Sequence, residues 1–391
     1  LICNEGDKKR LKKVSYSMTI FNNDLINTLT HLPPDSDLAL IRQDRSDATL
    51  NTQAAYREIF SVPSAGFPVD VRYDFAHQVA KLTGSQALAD FYSQQSSSQK
   101  TENLSPALQA AAEYLQILTL SPKETHFALI EKLITHGWKN SDMILLAQLI
   151  TFVTYQARLV EGINLLITSE SKSFDVAKIV AGKWNHQPLT RQGNPSPTAF
   201  TQDSLGWEAW IAAREVGTLS DEEAQVMKKF GQLNSEYFLL LAHQSKILEI
   251  RTLIDRGVFY TAGGLPRWER EFAAAVVSKV NGCIYCASVH ARKASQYAKE
   301  RRGDVDKLLA TPTGEVLADG FDDRLLAITD LVASLSATPI QTAGSQVATL
   351  RQLGLSELEL LDLIQSTAFF SWANRLMLSL GEPFEITENK E

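Results

Sequence analysis

The sequence predicts an all-α fold of two tandem helical domains related by internal duplication. Three observations carry that prediction. Long segments place apolar residues at three- and four-residue intervals, alternating strand patterns with hairpin turns are scarce, and two collinear blocks of residues recur in the two halves. The 20 glycines and 13 prolines in 391 residues suit helices, and 44% hydrophobic with 21% charged residues is the composition of a globular protein with real cores. A formal net charge of -7 argues against nucleic acid or anionic membrane as the main partner, because phosphate binding needs a basic face. No stretch approaches the ~20 apolar residues of a membrane span, so no membrane is expected; one close cysteine pair in an otherwise cysteine-poor chain points to a reducing compartment, so the expected location is the cytoplasm.

Taken in order, residues 1–17 carry Lys8-Lys9-Arg10 and Lys12-Lys13 with no apolar run behind them, and are expected to form a disordered tail ahead of Met18. Residues 18–181 form the first helical domain. There Ala107–Leu120 and Ser141–Ile167 show the spacing of buried helix faces. Residues 182–204, with Gly193-Asn-Pro-Ser-Pro197, make a poor helix and a good linker. Residues 205–391 form the second domain, with helices over Glu222–Gly231, Tyr237–Arg256, Pro266–Val280, Asp322–Ser334 and Ser356–Leu380; Arg301–Asp323 reads as a loop.

The halves align residue by residue. Ser121-Pro122, Leu133, Gly137, Gln148, Phe152 and Arg158 fall opposite Thr338-Pro339, Leu350, Gly354, Gln365, Phe369 and Arg375, at a constant offset of 354 − 137 = 217. Upstream, Arg72 and Val79–Gly84 fall opposite Arg270 and Val277–Gly282, at 270 − 72 = 198. The difference, 217 − 198 = 19 residues, belongs to the Arg301–Asp323 region.

The candidate chemistry sits in one place. Cys283 and Cys286 are one helical turn apart, His290 lies one turn further, and Glu271 lies on the preceding helix, which Asn281-Gly282 ends. A helix start favours thiolate at Cys283. A thiolate attacks a hydroperoxide to give a sulfenic acid, and the second thiol condenses with it to a disulfide. An external dithiol then reduces that disulfide. His290 and Glu271 are placed to relay protons. In the first half Tyr73, Ser85, Leu88 and Tyr92 stand where Glu271, Cys283, Cys286 and His290 stand in the second, so the first half is expected to be catalytically empty. A structural zinc site needs four ligands, and only Cys283, Cys286, His290 and at most Glu271 are available, with no second Cys/His cluster, so a redox dithiol is favoured over metal.

Glu271 followed by Cys283-Ile-Tyr-Cys286-Ala-Ser-Val-His290, with Arg270 before the glutamate, resembles the active-site signature of the alkylhydroperoxidase AhpD-like, carboxymuconolactone decarboxylase-like superfamily. Phe370…Asn374-Arg375…Leu380-Gly381 is similar to the C-terminal block of its peroxidase-related branch. The resemblance covers residues from about 205 to the end well, and about 45–170 as a degenerate copy. It implies a small helical fold, no metal, haem or other cofactor, and a homo-oligomer, with a trimer of two-domain chains as the first expectation. Tyr285 occupies a place where the family often has histidine.

The expected function is therefore thiol-dependent hydroperoxide reduction. Its partners would be a hydroperoxide substrate and an external dithiol reductant of lipoyl or thioredoxin type. Cys286 is expected to attack, since His290 lies one turn beyond it, with Cys283 as the more accessible resolving thiol; the reverse order stays open. The alternatives are a redox-sensing scaffold and a carboxymuconolactone decarboxylase-like lyase. His243, Trp207, Trp210 and Trp372 read as packing residues, the other histidines have no partners at catalytic spacing, and Arg375 is expected to make a structural ion pair.

Overall fold

The computed structural model describes residues 24–96, 104–168, 178–184, 187–317 and 319–386. The expected tail at 1–17, Cys3 and His186 fall outside these. In chain order the elements are α1 (Leu25–Leu29), α2 (Asp37–Asp44), α3 (Ser46–Ser61), α4 (Val69–Thr83), α5 (Gln86–Gln95), α6 (Pro106–Leu120), α7 (Phe127–Thr135) and α8 (Asn140–Ile167). After the linker follow β1 (Leu205–Ala209), α9 (Asp221–Phe230), α10 (Glu236–Leu241), α11 (Ser245–Phe259), α12 (Arg267–Asn281), α13 (Ile284–Tyr297), α14 (Arg302–Ala310), α15 (Asp323–Ser336), α16 (Gly344–Gln352), α17 (Glu357–Leu380) and β2 (Gly381–Glu385). The fold is all-α, apart from one short antiparallel pair in which Trp207 faces Pro383.

Local chemistry sets the ends of these helices. Ser220 with Glu223 and Ser356 with Glu359 close capping boxes at the starts of α9 and α17. Asp322 caps α15 by accepting from the Leu325 N–H. At the end of α12, Gly282 adopts φ 73°, and a Cβ there would lie 2.5 Å from the Lys183 carbonyl oxygen, so only glycine fits.

The element bounds recur between the halves. Helices α4 and α12 start 267 − 69 = 198 residues apart, α5 and α13 start 284 − 86 = 198 apart, and α8 and α17 start 357 − 140 = 217 apart. The core lies where the halves meet. Helix α8 packs antiparallel on α17, and α3 packs on α11. Gly162 allows the first crossing, because a Cβ there would meet Ile364 at 2.4 Å. Across this seam Trp372, fully buried, donates to Gln148 at 2.9 Å and packs on Phe152 and Tyr155. Contrary to the expectation that no stretch approaches a membrane span, helix α8 is long and apolar enough to cross a membrane, but its apolar window is entirely buried inside the fold, as a core helix would be.

Several expectations are corrected. The periodicity over Tyr237–Arg256 hides a break, a 3-10 turn at Ala242–Gln244 between α10 and α11. The Arg301–Asp323 segment is a helix, α14, followed by a loop. Arg375 makes no ion pair among the described residues. It donates to the carbonyls of Leu118 (3.2 Å), Thr119 (3.0 Å) and Ser371 (3.2 Å), because the neighbouring helix end offers free carbonyls and no carboxylate. Arg158 makes the reciprocal set, to Ser336 (2.8 Å) and Ala337 (3.0 Å) of the other half.

Candidate active site

Helix α12 places Glu271 with no exposure at all, and helix α13 places His290 beside it. His290 Nδ1 bonds the Glu271 Oε2 carboxylate oxygen. The other oxygen, Oε1, accepts from Arg267 Nε at 2.7 Å. Burial pushes the Glu271 carboxyl up, but His290, Lys293 and Arg267 outweigh it and hold the group below its ordinary range. Glu271 is thus a fixed anion that orients the imidazole. The His290 ring is in turn braced by Phe370, with centroids 4.2 Å apart, and by Phe259 at 5.9 Å.

The thiols sit at the turn between the two helices. The Cys283 N–H donates to the Ser278 carbonyl at 2.8 Å, closing α12 and opening α13 in one residue. Asn374 fixes that turn from α17: its Nδ2 donates to Ser278 Oγ at 3.0 Å and its Oδ1 accepts from Asn281 at 3.1 Å. Both cysteines are free thiols, and both are buried. Burial pushes Cys283 well above its ordinary value, a hydrogen bond to Cys286 adds to the rise, and the Cys286 backbone N–H offsets part of it. The helix-start effect expected at Cys283 is therefore present but outweighed. The expected accessibility is also corrected: Cys283 is 2% exposed and Cys286 6%. A cavity of about 20 Å³ does reach Cys283, walled by Trp184, Trp207, Tyr285, Met377 and Leu378.

The structure thus joins Glu271 to His290 and Cys283 to Cys286, with Cys286 one helical turn ahead of His290 and Cys283 two. In the first half, the corresponding positions are packed shut. Tyr73 and Tyr92 lie together (centroids 6.3 Å apart) with Phe60 stacked on both, Leu88 is fully buried, and Ser85 donates to Glu161 at 2.8 Å. His77, His126, His136 and His243 bond backbone carbonyls. Among the described residues no group of three or more His, Cys, Asp or Glu side chains could hold a metal ion. A larger cavity, about 910 Å³, lies along α15 and α16 and contains none of the site residues.

Arg267 was legible as an i, i+4 partner of Glu271 on one helix. Phe259, Trp184 and Trp207 left no local signal, since each reaches the site from another element. Residues 246–311 match the model of the carboxymuconolactone decarboxylase family, a span that contains Glu271, Cys283, Cys286 and His290. No curated protein and no solved structure matches the chain. The dithiol and the Glu271–His290 pair therefore lie within a span, residues 246–311, that matches the carboxymuconolactone decarboxylase family.

Proposed function

We propose that the chain is a thiol-dependent hydroperoxide reductase acting through Cys283 and Cys286. One observation carries the reading: two adjacent free thiols stand one and two turns ahead of a histidine that a buried carboxylate orients. Cys286 attacks. Burial keeps Cys283 protonated, which leaves it as the resolving thiol beside Cys286.

The steps balance. The Cys286 thiolate attacks the terminal peroxide oxygen, the S–O bond forms, the O–O bond breaks, and the alkoxide leaves as alcohol after taking one proton. The Cys283 thiol condenses with the sulfenic acid, forming the disulfide and releasing water. An external dithiol of lipoyl or thioredoxin type reduces the disulfide and is itself oxidised. His290, held through Nδ1, has Nε2 available to give the proton, and Glu271 stabilises the imidazolium before transfer.

The test is consumption of tert-butyl hydroperoxide with dihydrolipoamide, thioredoxin or glutathione as reductant. A protein that oxidises once and does not cycle is a redox sensor, and the proposal fails. The family match favours one other reading, a lyase acting on a small carboxylated ring; it predicts activity that survives loss of both thiols.

We also infer that the two halves arose by duplication and that the first is a silent copy. The repeated element bounds and the reciprocal Arg158 and Arg375 contacts support this, since residue-for-residue exchange across a seam is the mark of a two-fold interface. Assembly into a homotrimer rests on the superfamily resemblance alone, and a sedimentation profile showing only monomer at micromolar concentration would remove it.

A further inference from the structure

Every O–O cleavage in the proposed reaction consumes one proton, and the residues that handle it are mostly shielded, with the His290 side chain 12% exposed. Glu271 is fully buried, and the His290 ring is bracketed by Phe259 and Phe370. Water does come close on one side. A cleft of about 370 Å³ is lined by Phe230, Phe238, Thr252, Asp255, Arg256 and Tyr260.

The cleft touches the site through three of its walls. Tyr260 packs on the Arg267 guanidinium at 4.1 Å, and Arg267 is the partner of Glu271. Phe238 packs on Tyr237 (centroids 6.1 Å apart), and Tyr237 lies in the electrostatic field of both thiols. Asp255 precedes Phe259 by four residues on α11, so it shares the helix face that meets His290.

Asp255 is half-buried and has no hydrogen-bond partner among the described residues. The charged groups around it are Arg251 on its own helix, Glu271 on α12, and His290 and Lys293 on α13. Burial pushes its carboxyl up, and Glu271 adds to the rise against Arg251, His290 and Lys293. An unbonded carboxyl at the edge of a cleft, on the helix face that meets the partly buried imidazole, serves no evident packing purpose.

We propose that Asp255 is the solvent-side member of an acid–base unit with Glu271 and His290, passing protons between the cleft and the imidazole. When His290 gives its Nε2 proton to the departing alkoxide, the Asp255 carboxyl restores it through cleft water and is itself reprotonated from solvent. Asp255 acts through His290 and touches neither sulfur nor peroxide. The inference rests on the peroxidase reading for the step that consumes the proton, but not for the coupling itself.

Two measurements separate these. NMR titration of the His290 ring in the reduced full chain reads the coupling without turnover. Asp255→Asn removes a negative neighbour and is expected to lower the apparent His290 pKa by about half a unit or more, while Asp255→Glu keeps it. An unmoved His290 titration in the folded Asn variant overturns the proposal. Single-turnover oxidation by tert-butyl hydroperoxide, followed by thiol loss across pH 5–9, reads the delivery. The Asn variant is expected to be slower by about tenfold, most strongly above neutral pH, with Glu restoring most of the rate. Equal pH profiles for wild type and Asn overturn the delivery role. If wild-type thiols do not react with peroxide at all, the peroxidase reading fails, and the His290 titration still decides whether the unit exists.

Discussion

Arg158 and Arg375, one from each half, both donate to the Thr338 hydroxyl, at 2.9 and 3.0 Å. Each also caps carbonyls at a helix end of the opposite half, and both are completely buried. Burial lowers both guanidinium groups, and at Arg158 the neighbouring Arg375 lowers it further. Two cations can share such a place only because carbonyl dipoles surround them.

Arg375→Met should therefore destabilise the chain by roughly 3 kcal/mol, since it orphans the Leu118 and Thr119 carbonyls. Arg158→Met should cost a similar amount. Because the two share Thr338, the double variant should depart from additivity by about 1 kcal/mol. Urea unfolding of the four proteins measures this, and strict additivity would mean that the two arginines are independent.

Replacing Glu271 by glutamine should release the imidazole and cut the peroxide-driven oxidation rate about a hundredfold. It should also alter acid stability. The folded carboxyl is held below its unfolded value. The unfolded chain therefore binds more protons between the two values, and stability rises with pH through that window. The Glu271 contribution is complete above about pH 4.3 and is lost as pH falls through the lower folded value. The Gln variant should show a flatter stability curve between about pH 5 and the acid limit; identical curves would contradict the assigned shift.

Stopped-flow mixing of the two serine variants with peroxide distinguishes the thiols. Cys283→Ser should accumulate sulfenic acid on Cys286, trapped by dimedone, because the resolving thiol is missing. Cys286→Ser should react at least tenfold more slowly, since burial holds Cys283 as the thiol. Sulfenic acid formed only in Cys286→Ser reverses the assignment.

Lys279 offers a test outside the chemistry. It is 2% exposed, donates to the Leu309 carbonyl at 2.7 Å and lies 3.8 Å from the Phe200 ring centre. Burial pushes it down to about 8. Here the folded value lies below the unfolded one, so the unfolded chain binds more protons between pH 8 and about 10.4. The penalty of burying the charge is full below pH 8, at about 3 kcal/mol, and fades as pH rises through the window. Relative to wild type, Lys279→Met should lose ground steadily from pH 8 to 10.5 in paired denaturation curves. A difference that stays constant with pH would place the ammonium in a better-solvated site than its burial suggests.

The sequence made the long helices and the site motif legible for the same reason: both are local. Helix α6 begins within a residue of the apolar run at Ala107, and α8 within a residue of Ser141, because periodicity and caps lie in the segment itself. The strands escaped notice because each is five residues long, β2 contains Pro383, and the partners lie 381 − 209 = 172 or more residues apart. The break at Ala242–Gln244 is invisible to periodicity, since apolar residues continue through it. Arg375 was legible as a repeated position but not as a carbonyl cap, which depends on where another helix ends. At the dithiol, the motif located the thiols; the burial that reverses the helix-start effect at Cys283 comes from other elements.

The cavity at Cys283 also makes that sulfur observable. Trp184 and Trp207 form its wall, and Trp207 Nε1 is tethered to the Met377 carbonyl at 3.2 Å. A disulfide accepts an electron from an excited indole far more readily than a thiol does. The chain thus carries an optical gauge of its own oxidation state: each closure of the Cys283–Cys286 bond should dim the tryptophan emission, and each reduction should restore it, with no label attached.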